Sequence, residues 1–205
     1  MTSIETVTLE VTDTQAATDF YKTAFGPDLP VSLRPSETPT SGFRGFTLSL
    51  VVSQPADTDS LFETALAAGA TQVKPASKSL WGYGGVVQAP DGTIWQIVTS
   101  SKKNSGPASR KVDDLVLLLG VEDVKASKQF YVDRGLPVAK SFGSKYVEFD
   151  GSDSRVTLSL YKRRALAKVA GVPAEGTGSH RLVVGSDAGS FTDPDGFAWE
   201  AATAP

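Results

Sequence analysis

The chain has no cysteine and a single histidine among its 205 residues. The first absence removes disulfides, thiolate metal sites and cysteine nucleophiles, and the second removes any metal shell that needs two imidazoles from one chain. No uncharged run of membrane-spanning length occurs, and the opening MTSIETVTLEV has no basic segment ahead of an apolar one. Neither a membrane span nor a secretory leader is expected, and the expected compartment is the cytoplasm. An excess of positive charge is lacking too: 20 Lys and Arg stand against 23 Asp and Glu, with a pI near 5.2. Phosphate binding needs a concentrated basic surface, so a nucleic-acid partner is not expected. The one basic cluster, KRRALAK from Lys162 to Lys168, reads as the solvated face of a short helix. What is present, 40% apolar and 21% charged residues, suits a soluble globular protein of one large or two small domains.

The chain is built twice. LEVTDTQAATDFY from Leu9 aligns without a gap with LGVEDVKASKQFY from Leu119, and PDGTIWQ from Pro90 returns as PDGFAWE from Pro194. The seam, SSKKNSGPASR, is polar and rich in Ser and Gly, which divides the chain into residues 1–100, a linker at 101–110, and residues 111–205. Each repeat opens with a strand. Val7, Leu9 and Val11 alternate with Thr6, Thr8 and Glu10, and Asp13 then caps a helix carrying Ala17, Phe20, Tyr21 and Ala24 on one face. A second strand begins at Phe46, and Ser60 with Glu63 reads as a capping box for the helix LFETALAAG. Short strands follow at TQVKP, GGVVQ and TIWQIV, giving a βαβββ unit. A further complete unit runs from Leu115 to Tyr161. The segments before Phe43 and after Ser179 are too short for complete units, so the expected fold is α+β with two complete βαβββ modules and two trimmed ones.

These residues resemble the vicinal oxygen chelate superfamily, which includes glyoxalase I, extradiol dioxygenases, fosfomycin-resistance enzymes and bleomycin-resistance binding proteins. The resemblance rests on VTDTQAATDFY, VEDVKASKQFY, ALAAGA and the closing APDGTIWQ and TDPDGFAWE, and it extends over nearly the whole chain. It implies paired modules, two glyoxalase-like domains in one chain, each curled into a cleft. It also implies metal ligands on the opening strands, usually His, and on the closing strands, usually Glu. Carried over by spacing, the opening positions are Thr6, Thr47, Val116 and His180, and the closing positions are Gln96 and Glu200. Thr6, Thr47 and Gln96 are poor ligands for a divalent metal, so no metal or other cofactor is expected. A weak oxygen-rich site from Asp114, His180 and Glu200 is the alternative.

Alternation groups these positions into two expected clefts. The first half would present Thr6, Thr47 and Gln96 for hydrogen bonding; the second is apolar apart from His180 and Glu200, read either as an acid–base couple or as a structural ion pair. In KSLWGYGG, Trp81 and Tyr83 alternate with glycines, so both rings would project to one side, as a ligand platform or as lid or interface packing. The resemblance then implies a metal-independent binding protein of the bleomycin-resistance type. It would take a small organic ligand with Trp81 and Tyr83 stacking and Thr6, Thr47 and Gln96 hydrogen-bonding. The alternative is a lyase or isomerase using His180 and Glu200, with a divalent metal if Asp114 or a neighbouring chain completes the shell. Whether modules pair within one chain or across a homodimer is left open by the sequence.

Overall fold

The computed structural model describes residues 2–202. The first module holds β1 (Ile4–Val11), α1 (Thr14–Phe25), β2 (Val31–Pro35) and the short β3 (Thr40–Gly42). The second is complete: β4 (Phe46–Val51), α2 (Pro55–Ala67), β5 (Thr71–Ser79), β6 (Gly82–Gln88) and β7 (Ile94–Thr99). So is the third: β8 (Asp114–Val121), α3 (Val124–Val132), β9 (Val138–Ser141), β10 (Tyr146–Phe149) and β11 (Thr157–Lys162). Then come α4 (Arg163–Ala170) and β12 (Gly176–Gly178), and the last module is trimmed to β13 (Leu182–Ser186), β14 (Phe191–Thr192) and β15 (Ala198–Ala201). Among the described residues no helix is long and apolar enough to cross a membrane.

Modules pair within the chain, and the pairing cuts across its two halves. An eight-stranded sheet, β5-β6-β7-β4-β8-β11-β10-β9, joins the second module to the third through antiparallel β4 and β8. A five-stranded sheet, β14-β15-β13-β1-β2, joins the first module to the fourth through β1 and β13. Both sheets turn an apolar face into one buried cluster, with Val7, Leu9 and Val184 from the smaller sheet meeting Leu48, Leu117 and Leu160 from the larger. The helices α1 and α2 pack on each other inside it, and Trp95 of β7 lies against Tyr21 and Phe25 of α1, with ring centroids 5.5 and 4.9 Å apart. Aromatic burial of this kind ties α1 of the first module to the larger sheet.

The repeated FY and PDG motifs form latches between helix and closing strand. Tyr21 donates to Asp91 at 2.6 Å, and Tyr131 donates to Asp193 at 2.5 Å. The second copy is elaborated: Asp195, the Asp of its PDG, instead accepts from the Ser127 hydroxyl and the Glu122 amide at the start of α3. Caps follow the sequence where Asp13 and Asp123 accept from amides of the first helical turn. The Ser60–Glu63 capping box is overturned, because α2 starts at Pro55 and Ser60 lies inside it. Proline needs no amide partner at the first helical position, which makes it the better start. The Ser100–Arg110 segment is tied to the start of α2, where the Gln54 side chain takes the Ser105 and Gly106 amides and Asp57 takes those of Ser109 and Arg110.

Candidate functional site

In the eight-stranded sheet, strand alternation sends Leu48, Trp95, Leu117 and Leu160 into the core and turns Thr47, Gln96, Leu118 and Ser159 to the other face. That face curls. Lys74 and Ser77 on edge strand β5 and Lys140 and Glu148 at the far end, on β9 and β10, line one cavity of about 790 Å³. The helix α4 lies across the middle of the same face, burying Leu166, Ala167 and Ala170 with Val86, Ile94, Leu118 and Phe43. Gly120 permits this approach, since a Cβ there would stand 2.9 Å from the Gly45 carbonyl oxygen and 3.0 Å from the Arg163 Cα. The basic stretch read as a solvated face is therefore only half solvated: its apolar side fills the inner cleft, and the open cavity begins at Val169 near its C-terminal end.

The charges lining the cavity are paired. Lys140 donates to Glu148 at 2.8 Å, and the other Glu148 oxygen accepts from the Tyr146 hydroxyl at 2.7 Å. Burial works to raise the Glu148 pKa, but the hydrogen bonds from Lys140 and Tyr146 and the Lys140 charge outweigh it and hold the carboxyl below its ordinary range. The phenols of Tyr146 and Tyr161 are pushed up, chiefly by burial and secondarily through Glu148. Lys74 reaches over the cavity edge and donates to the Lys168 and Val169 carbonyls at 3.0 and 2.6 Å. Those carbonyls sit at the negative end of α4, where the Gly171 cap amide reaches Lys168 at 3.3 Å, so a lysine is well placed there. On the floor, Gln96 donates to the Thr47 hydroxyl at 2.9 Å, with Ser49 beside it across the β4–β7 register.

Trp81 and Tyr83 part company. β5 runs on to Ser79 and turns at Leu80 and Trp81, so Trp81 occupies a hairpin tip at the cavity rim with 84% of its surface exposed. Tyr83 lies in β6 and reaches α2, donating to Asp59 at 2.6 Å; that bond first, then burial, raises its pKa to about 12. Trp81 thus lies in the turn and Tyr83 in the strand, and both line the one cavity. Tyr83 borders the same cavity, but its hydroxyl is committed to the helix.

Thr6 belongs to the other sheet. Its hydroxyl donates to the Pro30 carbonyl at 3.2 Å, and its strand partner is Gly185, so the expected grouping of Thr6 with Thr47 and Gln96 is corrected by the module pairing. His180 and Glu200 do not form a couple either. Glu200 is paired with Arg34 at 2.9 Å, and Arg34 also holds Glu10 at 2.9 Å. His180 stacks on Phe197, with Nδ1 against the Arg44 carbonyl and Nε2 against that of Asp195. The spacing rule placed His180 wrongly because Asp187 caps no helix and accepts from the Ser3 amide instead. In register, Val183 faces Thr8 as Thr47 faces Leu118. Arg181, beside His180, spends its guanidinium on the Thr38 carbonyl.

The donors at these positions do not fit a divalent metal. The positions paired in register carry Ser49, Gln96, Val116 and Thr157 in the larger sheet and Thr6, Gly185 and Glu200 in the smaller; valine and glycine offer no ligand atom, and the Glu200 carboxylate already carries a guanidinium. The alternative trio is separated: Asp114 lies on β8 of the larger sheet bonded to Thr157. Among the described residues no three His, Asp or Glu side chains converge. Glu200 aligns with Gly185, five residues beyond His180, which is roughly 16 Å of extended chain. The variants His180→Ala and Glu200→Gln should therefore add in stability to within about 0.5 kcal/mol in a double-mutant cycle. A coupling energy well above that would restore the pair.

Sequence reasoning missed Lys74, Lys140, Tyr146, Glu148 and Arg34. Tyr146 and Glu148 alternate on one face of β10, and only the curl of the sheet brings that face to the cavity that β5 also lines.

No family model and no curated protein matches the sequence. Solved structures do match. Glyoxalase I from Zea mays shares 15% identity and a TM-score of 0.63, covering 97% of this chain and 91% of its own. A putative dioxygenase from Bacillus subtilis subsp. subtilis str. 168 shares 13% identity and a TM-score of 0.64, covering 99% of this chain and 85% of its own. A glyoxalase/bleomycin resistance protein/dioxygenase family enzyme from Burkholderia phytofirmans PsJN shares 21% identity over 48% of this chain and 98% of its own, with a TM-score of 0.44. On the first two likenesses the chain has the vicinal oxygen chelate fold. At such identities the likeness is one of fold, and fold alone names no reaction.

Proposed function

We propose that the chain is a metal-independent binding protein that takes a small organic molecule in the cleft between its second and third modules. The observation that supports this is one cavity of about 790 Å³ with the exposed indole of Trp81 at its rim and the Gln96 amide on its floor. Such a volume lies in the range of small-molecule sites, and an unburied indole at a cavity mouth is apolar surface that a ligand would cover. Val51, Val86, Val98 and Val169 supply the apolar walls. The donor sets of both sheets favour hydrogen bonding over metal coordination, and binding without a metal is part of this reading.

Trp81 also supplies the assay, because Trp95 and Trp199 are 0% and 2% exposed. A screen of planar organic compounds should find ligands that quench tryptophan emission, and Trp81→Ala should weaken their binding about tenfold or more, measured by calorimetry. Dialysis against a chelator should leave both affinity and melting temperature unchanged. Ligands whose affinity ignores Trp81→Ala, or a stoichiometric metal whose removal abolishes binding, would overturn the reading.

A further inference from the structure

We infer that the ligand of this cleft is an uncharged, planar molecule whose edge offers an N–H or O–H donor to the side-chain carbonyl of Gln96. The inference rests on the cleft being the ligand site and adds the chemical class. Its first ground is charge. The ionic groups lining the cavity are Lys74, Lys140 and Glu148, and each is engaged within the protein: Lys140 with Glu148, Glu148 also with Tyr146, Lys74 with the end of α4. A cation would face the two lysines, and an anion would have to share an ammonium already engaged within the protein or lie unpaired against Val51, Val86, Val98 and Val169. Either course is costly, whereas a neutral ring loses little water.

The second ground is an unused acceptor. A glutamine amide has two donors and a carbonyl with two lone pairs. Gln96 spends a donor on Thr47, and its Oε1 accepts from no group among the described residues, although the residue is only 7% exposed and lines the cavity. With its NH2 on the Thr47 hydroxyl, the amide turns its carbonyl away from Thr47. An acceptor that opens onto a cavity recognises a ligand donor and disfavours an analogue lacking it. The planar shape follows from the indole of Trp81 at the rim, a flat apolar surface against which a ring loses little freedom on stacking.

Three bicyclic probes of similar size separate the possibilities by calorimetry: 2-quinolone, a neutral lactam with an edge N–H; N-methyl-2-quinolone, the same ring without the donor; and 2-naphthoate, an anion. The expected order has 2-quinolone tightest, with each of the others weaker by about tenfold, the discrimination one buried hydrogen bond or one unpaired charge supplies. Gln96→Leu should bring the two quinolones to parity, and since the wild-type ratio is itself decisive, the test survives if that variant folds poorly. Equal binding of the two quinolones overturns the donor assignment, tightest binding of 2-naphthoate overturns the uncharged class, and no binding by any of the three overturns the inference as a whole. The cleft reading fails by a different result: compounds that bind, yet with affinities that Trp81→Ala leaves unchanged.

Discussion

Tyr131→Phe is expected to lower the free energy of unfolding by about 3 kcal/mol, the cost of leaving a buried carboxylate oxygen without its donor. Asp193 is buried, and its two oxygens divide the work: Oδ1 takes the amides of Asp195 and Phe197, and Oδ2 takes the Tyr131 phenol. Phenylalanine keeps the packing of that ring on Phe149 and Trp199, so the lost hydroxyl is the whole change. For a chain of this size the melting temperature should fall by roughly 6–12 °C. The pH dependence gives an independent signature. Burial already raises the Asp193 pKa above 3.8, against the opposing pull of Tyr131 and the Phe197 amide. A carboxyl with a raised folded pKa contributes stability that is full below its unfolded pKa and is lost as pH rises through the folded value. Without the phenol that value climbs further, so the deficit of Tyr131→Phe should be larger at pH 7 than at pH 4. Tyr21→Phe serves as the comparison: Asp91 is half-buried, and its loss should be smaller. Urea unfolding of the two variants at both pH values measures this, and a deficit below about 1 kcal/mol for Tyr131→Phe would show that the latch carries little.

These latches also show why the fold was legible in the sequence while much of the site was not. FY, PDG and the capping Asp residues recur because each makes a local or helix-to-strand bond that any copy of the module needs, so repetition exposes them. Periodicity likewise located the strands of both complete modules and the trimming of the others. Pairing between modules is a long-range matter. Nothing within residues 1–100 says that β1 will leave β4 and join β13, and the reading of Thr6 beside Thr47 failed at that step. Gln96 beside Thr47 held because both lie in one module. His180 failed because a spacing rule calibrated on helix caps was applied where the helix is missing. Lys140, Glu148 and Lys74 were invisible for the remaining reason: they meet only when an eight-stranded sheet curls until its edges face one cavity.

Raising the pH should unfold the protein before its tyrosines titrate. All five, Tyr21, Tyr83, Tyr131, Tyr146 and Tyr161, have phenols pushed above the ordinary value of 10.0. For Tyr21 and Tyr131 the leading cause is burial, followed by the neighbouring carboxylates of Asp91 and Asp193; for Tyr146 and Tyr161 it is again burial, with Glu148 adding to it. The sign is the same in every case. A raised folded pKa gives stability that is complete below pH 10 and is lost progressively as pH rises above it, because the unfolded chain releases phenolic protons that the folded chain keeps. Tyrosinate absorbance at 295 nm should therefore grow in step with the loss of far-UV circular dichroism. Two or more phenols ionising near pH 10 with the dichroism intact would refute this. Tyr83 differs in cause, since its value of about 12 rests first on the hydrogen bond to Asp59 and only then on burial. Asp59→Asn removes the charge that most opposes ionisation, so in that variant one phenol of the five should titrate earlier than in the wild type and while the fold is still intact. That single early step would locate Tyr83 at the α2 contact and separate it from Trp81, whose indole stays at the cavity rim.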